Sequence, residues 1–310
     1  MSASENTNET EVVAFRLIKQ DSFVLTPYVK ELTMRVTRYL CAGYPVHLRG
    51  STGTGKTSLA MHVASCFDMP VTIIHGNDEY APSDLIGSYA GYRSEKMVDN
   101  YIHTVVKTVD DYQKRWVDNQ LTIACRNGFT LIYDEFNRSK PETNNILLDI
   151  LEGKILDTNE SQNTERYIKV HPDFKAIFTS NNEEYAGVHK VQDALLDRMI
   201  TINMGYMDAE TEREIVRVRA NVGYADADKI VNLIREFRDG GQYTAIPSLR
   251  VGIMIGKIIR GNNSHASKKD SFFRKVAYDA ICSKIDGFAT DTTTASNSRR
   301  IVDELIDKHC

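Results

Sequence analysis

The rhythm of apolar and polar positions changes twice along the chain. Behind a Thr cap, apolar residues recur at helical spacing from Thr26 to about Leu40, with Pro27 at the first helical position, so a helix is predicted there. From Pro45 the rhythm becomes short apolar runs: Pro45–Leu48, Pro70–Ile74, Phe129–Tyr133, Phe174–Thr179 and Met199–Met204. Each run reads as a buried strand. Ser58–Ala64 reads as a helix between the first two, and strands joined through helices predict a parallel α/β sheet. Past Gly205 only helical spacing remains, over 208–221, about 226–238, 248–260, 271–286 and 299–308, with breaks at Gly223, Gly240-Gly241 and Gly261–Ser264. The expected organisation is a flexible polar tail over 1–22, an α/β core over 23–205 and a small all-helical lid domain over 206–310.

The stretch from Asn77 to Asn127 is mostly polar and less regular. Its Gly/Tyr-rich piece DLIGSYAGYR (Asp84–Arg93) reads as a loop, either a gripping surface or a turn with its tyrosines packed on the domain. The run VVKTVDDYQKRWVDNQLTIACRN reads as helix up to Gly128, a plausible helix stop. Pro141 opens a further helix whose apolar face carries Ile146, Leu147, Ile150 and Leu151. Lys154–Asp157 and Arg166–Val170 read as a hairpin around a polar tip at Asn159.

Two of the predicted strands end in chemistry. After the first comes GSTGTGKT, Gly50, Ser51, Thr52, Gly53, Thr54, Gly55, Lys56 and Thr57, followed by Ser58 at the start of a helix. Glycines at these positions let backbone N–H groups wrap a phosphate chain, Lys56 adds a cation for the outer phosphates, and the Thr57 hydroxyl is a ligand for Mg²⁺. The helix N-terminus adds its positive end. The strand Phe129–Tyr133 runs into Asp134-Glu135, a carboxylate placed to hold Mg²⁺ through water and a second placed to deprotonate the attacking water. Phe174–Thr179 ends in Ser180-Asn181-Asn182, amides suited to a γ-phosphate or the lytic water, or to an ordinary turn. Arg198 closes a short helix, where it can also serve as a salt-bridge partner. Arg250 stands at the start of a lid helix, where an ordinary solvated position is the bland alternative.

Composition narrows the classes. The 310 residues are 42% hydrophobic, ample for a large core, and the net charge of -4 with no basic block longer than a pair argues against a nucleic-acid partner. No apolar run reaches membrane-spanning length and MSASENTNET holds no apolar leader, so a cytoplasmic protein is expected. The five cysteines are widely spaced and the eight histidines lack ligand spacing, so no dedicated metal site is expected beyond Mg²⁺ carried with nucleotide. No Asn-Lys-x-Asp tetrapeptide is present to read guanine, which favours ATP over GTP.

The phosphate loop, Asp134-Glu135, Asn181, Arg198 and Arg250 occur in the order seen in AAA+ ATPases. DEFNRSKPETNNILLDILEG (Asp134–Gly153) and DLIGSYAGYR resemble the MoxR-type branch and, within it, the gas vesicle protein N family; the resemblance runs from Phe23 onward. It implies that Asn181 is the sensor-1 residue, Arg250 the sensor-2 arginine, and Arg198 an arginine finger reaching a neighbour's nucleotide in a homo-oligomeric ring, a hexamer. It also implies that the loop around Gly87–Tyr89 lies toward the pore or upper face. The expected function is an Mg-ATP-driven assembly factor associated with gas vesicles, acting on shell or accessory proteins. Two alternatives share the motifs: a MoxR-type chaperone maturing another complex, such as a metalloenzyme, and a nucleotide-gated structural component of the vesicle. Lys56→Ala is expected to abolish ATP binding in an equilibrium titration, and normal affinity in that variant would overturn the phosphate-loop assignment.

Overall fold

The computed structural model describes residues 14–17, 23–90, 115–158, 166–181, 187–240, 246–282 and 292–310. The expected tail, apart from residues 14–17, lies outside them, as do the hairpin tip at Asn159, Asn182 and the segments 91–114 and 283–291. The chain forms two compact units, each drawn from three stretches. One holds Met1–Ile18, Tyr39–Leu48 and Ala64–Ile202; the other holds Lys19–Arg38, Arg49–Val63 and Asn203–Cys310.

The first unit is built on a five-stranded parallel sheet. Its strands are β1 (Val46–Gly50), β2 (Val71–His75), β5 (Thr130–Asp134), β8 (Lys175–Ser180) and β9 (Ile200–Met204), in the order β2-β5-β8-β1-β9. Every residue of β5 is buried, as a central strand covered on both faces requires, which is why its sequence is a continuous apolar run. Its register sets His75 against Asp134 on one side and Phe178 against Tyr133 on the other. Phe136 and Phe178 pack edge to face at 5.3 Å in the core beside these strands. Tyr133 donates to Ser139 Oγ at 2.8 Å, and burial pushes its phenol up to about 12. The buried His47 of β1 reaches Ser180 Oγ with Nε2 at 2.8 Å and Thr201 Oγ1 with Nδ1 at 3.1 Å, linking β1 to both its neighbours in the sheet.

Two expectations in this unit are corrected. Among the described residues, the helix predicted to run into Gly128 is present as α4 (Gln120–Asn127); before it, Arg115–Asp118 is a strand, β4, paired antiparallel with β3 (Gly87–Ala90), and residues 105–114 of the prediction lie outside the described residues. The Gly/Tyr stretch is therefore partly strand rather than loop. Tertiary packing overrides the local helical rhythm: the Trp116 ring meets Tyr89 edge-on at 5.2 Å, and its Nε1 donates to Asp118 Oδ1 at 2.8 Å. Gly87 is required there, because a Cβ would lie 2.9 Å from the Trp116 ring and 2.5 Å from the Val117 carbonyl. Gly128 ends α4 in the left-handed conformation, φ 71°, as the sequence implies. The helix expected from Pro141 is split into α5 (Pro141–Asn144) and α6 (Ile146–Leu151), and the hairpin is present as β6 (Ile155–Asp157) and β7 (Tyr167–Lys169). Between β1 and β2 in the sheet stand β8 and β5, and two further short helices, α3 (Pro82–Ile86) and α7 (Asp193–Leu196), complete this unit.

The second unit is helical. It contains most of α1 (Pro27–Cys41) and α2 (Lys56–Ala64), followed by α8 (Ala209–Ala220), α9 (Tyr224–Asp239), α10 (Leu249–Gly261), α11 (Ser271–Cys282) and α12 (Thr292–His309). The last begins earlier than its sequence pattern suggests. Ile230, Ile234, Ile255, Ile259, Phe273 and Ile306 are buried in its core. Gly256 lets α10 approach α8, since a Cβ there would meet Ala220 Cβ at 2.7 Å. Asp208 caps α8 by accepting from the Thr211 N–H at 2.9 Å, and the Thr211 hydroxyl lies 2.7 Å from that of Thr26, the residue preceding α1.

A buried ion cluster closes the entrance to α8. Glu212, 2% exposed, accepts from Arg238 Nη1 and Arg235 Nη1 at 3.0 Å each, and Arg235 Nη1 also donates to the Met207 carbonyl at 3.0 Å. The Arg238 guanidinium lies 3.9 Å over the Tyr206 ring. Glu212→Ala strands the buried Arg238 guanidinium and leaves the part-exposed Arg235 without its carboxylate, and a loss of about 3 kcal/mol is expected in urea unfolding. A loss under about 1 kcal/mol would mean water replaces the carboxylate.

Candidate active site

The second unit carries the phosphate loop. β1 ends at Gly50 and α2 begins at Lys56, leaving Ser51, Thr52, Gly53, Thr54 and Gly55 as the turn between them, with Thr57 and Ser58 in the first helical turn. Gly53 and Gly55 have φ of 82° and 87°, a region a Cβ disfavours. Space imposes the same demand. A Cβ on Gly50 would sit 2.2 Å from the Met204 carbonyl oxygen, one on Gly53 2.4 Å from Ser248 Cβ, and one on Gly55 2.7 Å from Met207 Cε. The buried Lys56 ammonium donates to the carbonyls of Gly50 and Ser51 at 2.9 and 2.8 Å, and Thr54 Oγ1 donates to the Ser51 carbonyl at 2.9 Å.

Against this loop lies a cavity of about 170 Å³. Gly53, Gly55 and Ser58 line it, together with Phe23 ahead of α1, Val29 and Leu32 on α1, and Met207, Ile215, Leu249 and Ile253. Arg219 and Arg250 complete the wall. An apolar slot bordered by loop N–H groups and cations suits a flat heterocycle carrying a charged tail. Arg250 is marked in the sequence by its place at a helix start, whereas Arg219 carries no sequence signal and was missed.

The first unit carries the acids. Asp134 ends β5, and its Oδ1 accepts from Thr179 Oγ1 at 2.5 Å while His75 Nδ1 lies 3.6 Å from Oδ2. The same Thr179 oxygen accepts from the Glu135 N–H at 2.8 Å. One buried hydroxyl thus fixes both consecutive acids. Glu135 turns out of the strand with φ 52°, a left-handed conformation that costs a non-glycine residue about 1 kcal/mol or more. Its Oε1 accepts from Asn181 Nδ2 at 3.1 Å and its Oε2 from Arg138 Nη1 at 3.1 Å. Asn137 holds the Asn181 carbonyl at 3.1 Å. Gly76 follows β2 so closely under Glu135 that a Cβ would be 2.1 Å from the Glu135 carbonyl oxygen.

Glu135 and Asn181 are therefore brought together, as two neighbouring parallel strand ends allow. Arg198 is held differently: its Nε donates to Glu152 Oε2 at 3.0 Å, its Nη2 donates to the same oxygen, and its Nη1 donates to the Ala194 carbonyl at 2.6 Å. Thr179, Gly76 and Arg138 were missed in the sequence. For Thr179 a faint signal existed, since it is the last residue of an apolar run and lies one step beyond the Tyr133–Phe178 pair, opposite Asp134.

Comparison with known proteins places this geometry. The family model described as AAA domain (dynein-related subfamily) matches residues 45–199. A gas vesicle ATPase GvpN from Ancylobacter aquaticus is 43% identical over all of this chain and 87% of its own length. The chain belongs to the gas vesicle ATPase GvpN family. Gas vesicle ATPase GvpN1 from Halobacterium salinarum is 42% identical over 93% of this chain and 80% of its own. Among solved structures, a mutant of the Thermotoga maritima protein RuvB superposes with a TM-score of 0.50 at 17% identity, covering 81% of this chain and 69% of that one, a likeness of fold. Family membership makes the chain an AAA+ ATPase. No helix among the described residues is long and apolar enough to cross a membrane.

Thr179→Val keeps the side-chain shape and removes both hydrogen bonds. Its ATPase kcat is expected to fall about 10- to 100-fold, with ATP affinity within a few-fold of the wild type. An unchanged kcat would separate Thr179 from the chemistry.

Proposed function

We propose that this ATPase turns over Mg-ATP to drive gas-vesicle assembly, working on a shell or accessory protein of the vesicle. One observation carries the reading at the level of the site: Arg250 lines the same cavity as Gly53 and Gly55. A nucleotide in that cavity touches the phosphate loop and the lid helix together, so its phosphorylation state biases how the lid is held. The vesicle assignment is supported by similarity over all of this chain to a named gas vesicle ATPase.

In this scheme the loop N–H groups and Lys56 bind the phosphates, Lys56 exchanging its bonds to the Gly50 and Ser51 carbonyls for phosphate oxygens. The apolar wall seats the base. Thr57 and Asp134 offer the hard oxygen donors that Mg²⁺ takes alongside phosphates and water, and they would hold it. The ion supplies charge neutralisation on the β- and γ-phosphates. Glu135 accepts the proton of the attacking water, for which its carboxylate has to exchange the Asn181 or Arg138 bond for one to water. Asn181 then orients that water or the γ-phosphate, and Arg250 reads the γ-phosphate from the lid. Arg198 completes a neighbouring subunit's site in a hexameric ring once released from Glu152, a contribution of the order of a thousandfold in rate.

Steady-state ATPase activity with and without purified vesicle shell and accessory proteins, measured beside the mass in Mg-ATP, tests the scheme. Stimulation by a vesicle protein and a ring-sized mass are expected. Unstimulated monomer would favour a chaperone of another complex, and tight ATP binding with negligible turnover a structural component. Mixing Arg198→Ala with Glu135→Gln subunits, each inactive alone, should restore turnover in co-assembled rings. Failure to recover in verified mixed rings would overturn the shared site.

A further inference from the structure

We infer that Arg219 is a nucleotide-binding residue that grips the base and ribose end of the ligand, opposite the phosphate-reading Arg250. The inference rests on the nucleotide assignment of the cavity above and deepens it.

Two arginines line a cavity that is otherwise apolar except at the phosphate loop. Their places differ along its length. Ser248 precedes α10 and its Cβ lies 2.4 Å from where a Gly53 Cβ would be, so Arg250, two residues on, belongs to the loop end. Arg219 comes instead from the far part of α8, about 15 Å along the axis from Ala209 at 1.5 Å per residue. It shares a helix face with Ile215, four residues earlier, which lines the same cavity. Side chains on a helix lean toward its N-terminus, which directs Arg219 back over Ile215 toward the slot.

Its charge is also unspent. The neighbouring α8 arginines are paired, Arg213 with Glu210 and Asp228, and Arg217 with Glu214. No ion pair is formed by Arg219 among the described residues. A planar guanidinium beside an apolar slot matches the face of a purine, on which it stacks, and its N–H fork can reach ribose hydroxyls or ring nitrogens. Such a contact is indifferent to the number of phosphates. It therefore adds affinity for ATP and ADP alike and contributes nothing specific to the hydrolytic transition state.

Isothermal titration of the full chain with ATP, ADP and AMP, together with steady-state kinetics, tests this. Arg219→Ala is expected to weaken all three nucleotides by a similar factor, about tenfold, and to raise KM while kcat at saturating ATP stays within twofold. Arg250→Ala serves as the contrast, with a loss concentrated on ATP. Arg219→Met retains the aliphatic stem and should lose the same affinity, so a folding defect in the alanine variant does not blunt the test. Unchanged affinity in both variants, a loss confined to ATP, or full restoration by Arg219→Lys would overturn the stacking role. Wild-type protein that binds none of the three would instead overturn the nucleotide assignment itself.

Discussion

A phosphate-binding backbone has to stay bare, and much of the second unit is arranged around that constraint. Gly53 and Gly55 hold dihedrals a side chain disfavours, and the space their missing Cβ atoms leave is filled by Ser248 and Met207. The loop is thus enclosed by the segments that open α8 and α10 rather than by its own side chains. Because those segments carry Met207, Leu249 and Arg250, the bare glycines also let the starts of α8 and α10 close on the loop and form the cavity wall.

The arrangement holds only if the α8 entrance is rigid. The Glu212 cluster supplies that: Arg235 holds the Met207 carbonyl, and Arg238 covers the Tyr206 ring, with the single carboxylate joining them. Buried charges of this kind are poor contributors to net stability, yet losing this geometry would leave the buried Arg238 guanidinium without its carboxylate. Thr26 and Thr211 join α1 to the same entrance through a hydroxyl pair.

In the first unit a comparable economy fixes the acids. Consecutive strand residues point to opposite faces, so an Asp-Glu pair at the end of β5 would diverge if the strand continued. Glu135 instead turns into the left-handed region, its N–H satisfied by the hydroxyl that also donates to Asp134. Gly76 leaves room for that turn. Backbone strain and one threonine thereby put Glu135 in reach of Asn181, which the adjacent strand delivers.

Features written in local chemistry were legible in the chain as positions: the glycine-rich turn between β1 and α2 with Lys56, the acids ending an apolar strand, Asn181 at the next strand end, and most helices and strands. Apolar period and glycine placement are properties of neighbouring residues, so they survive without a fold. Thr179, Gly76 and Arg219 were hardly legible, because Thr179 and Gly76 matter through residues distant in sequence and Arg219 faces the cavity only through the packing of α8. The β3–β4 pair was misread as helix and loop because the Tyr89–Trp116 contact, not local propensity, decides its conformation. Sequence by itself was enough for the α/β fold and the AAA+ ATPase family. Only tertiary structure decided which hydroxyl holds the acids and which cations face the cavity, since those depend on strand register and helix packing between segments the chain keeps far apart.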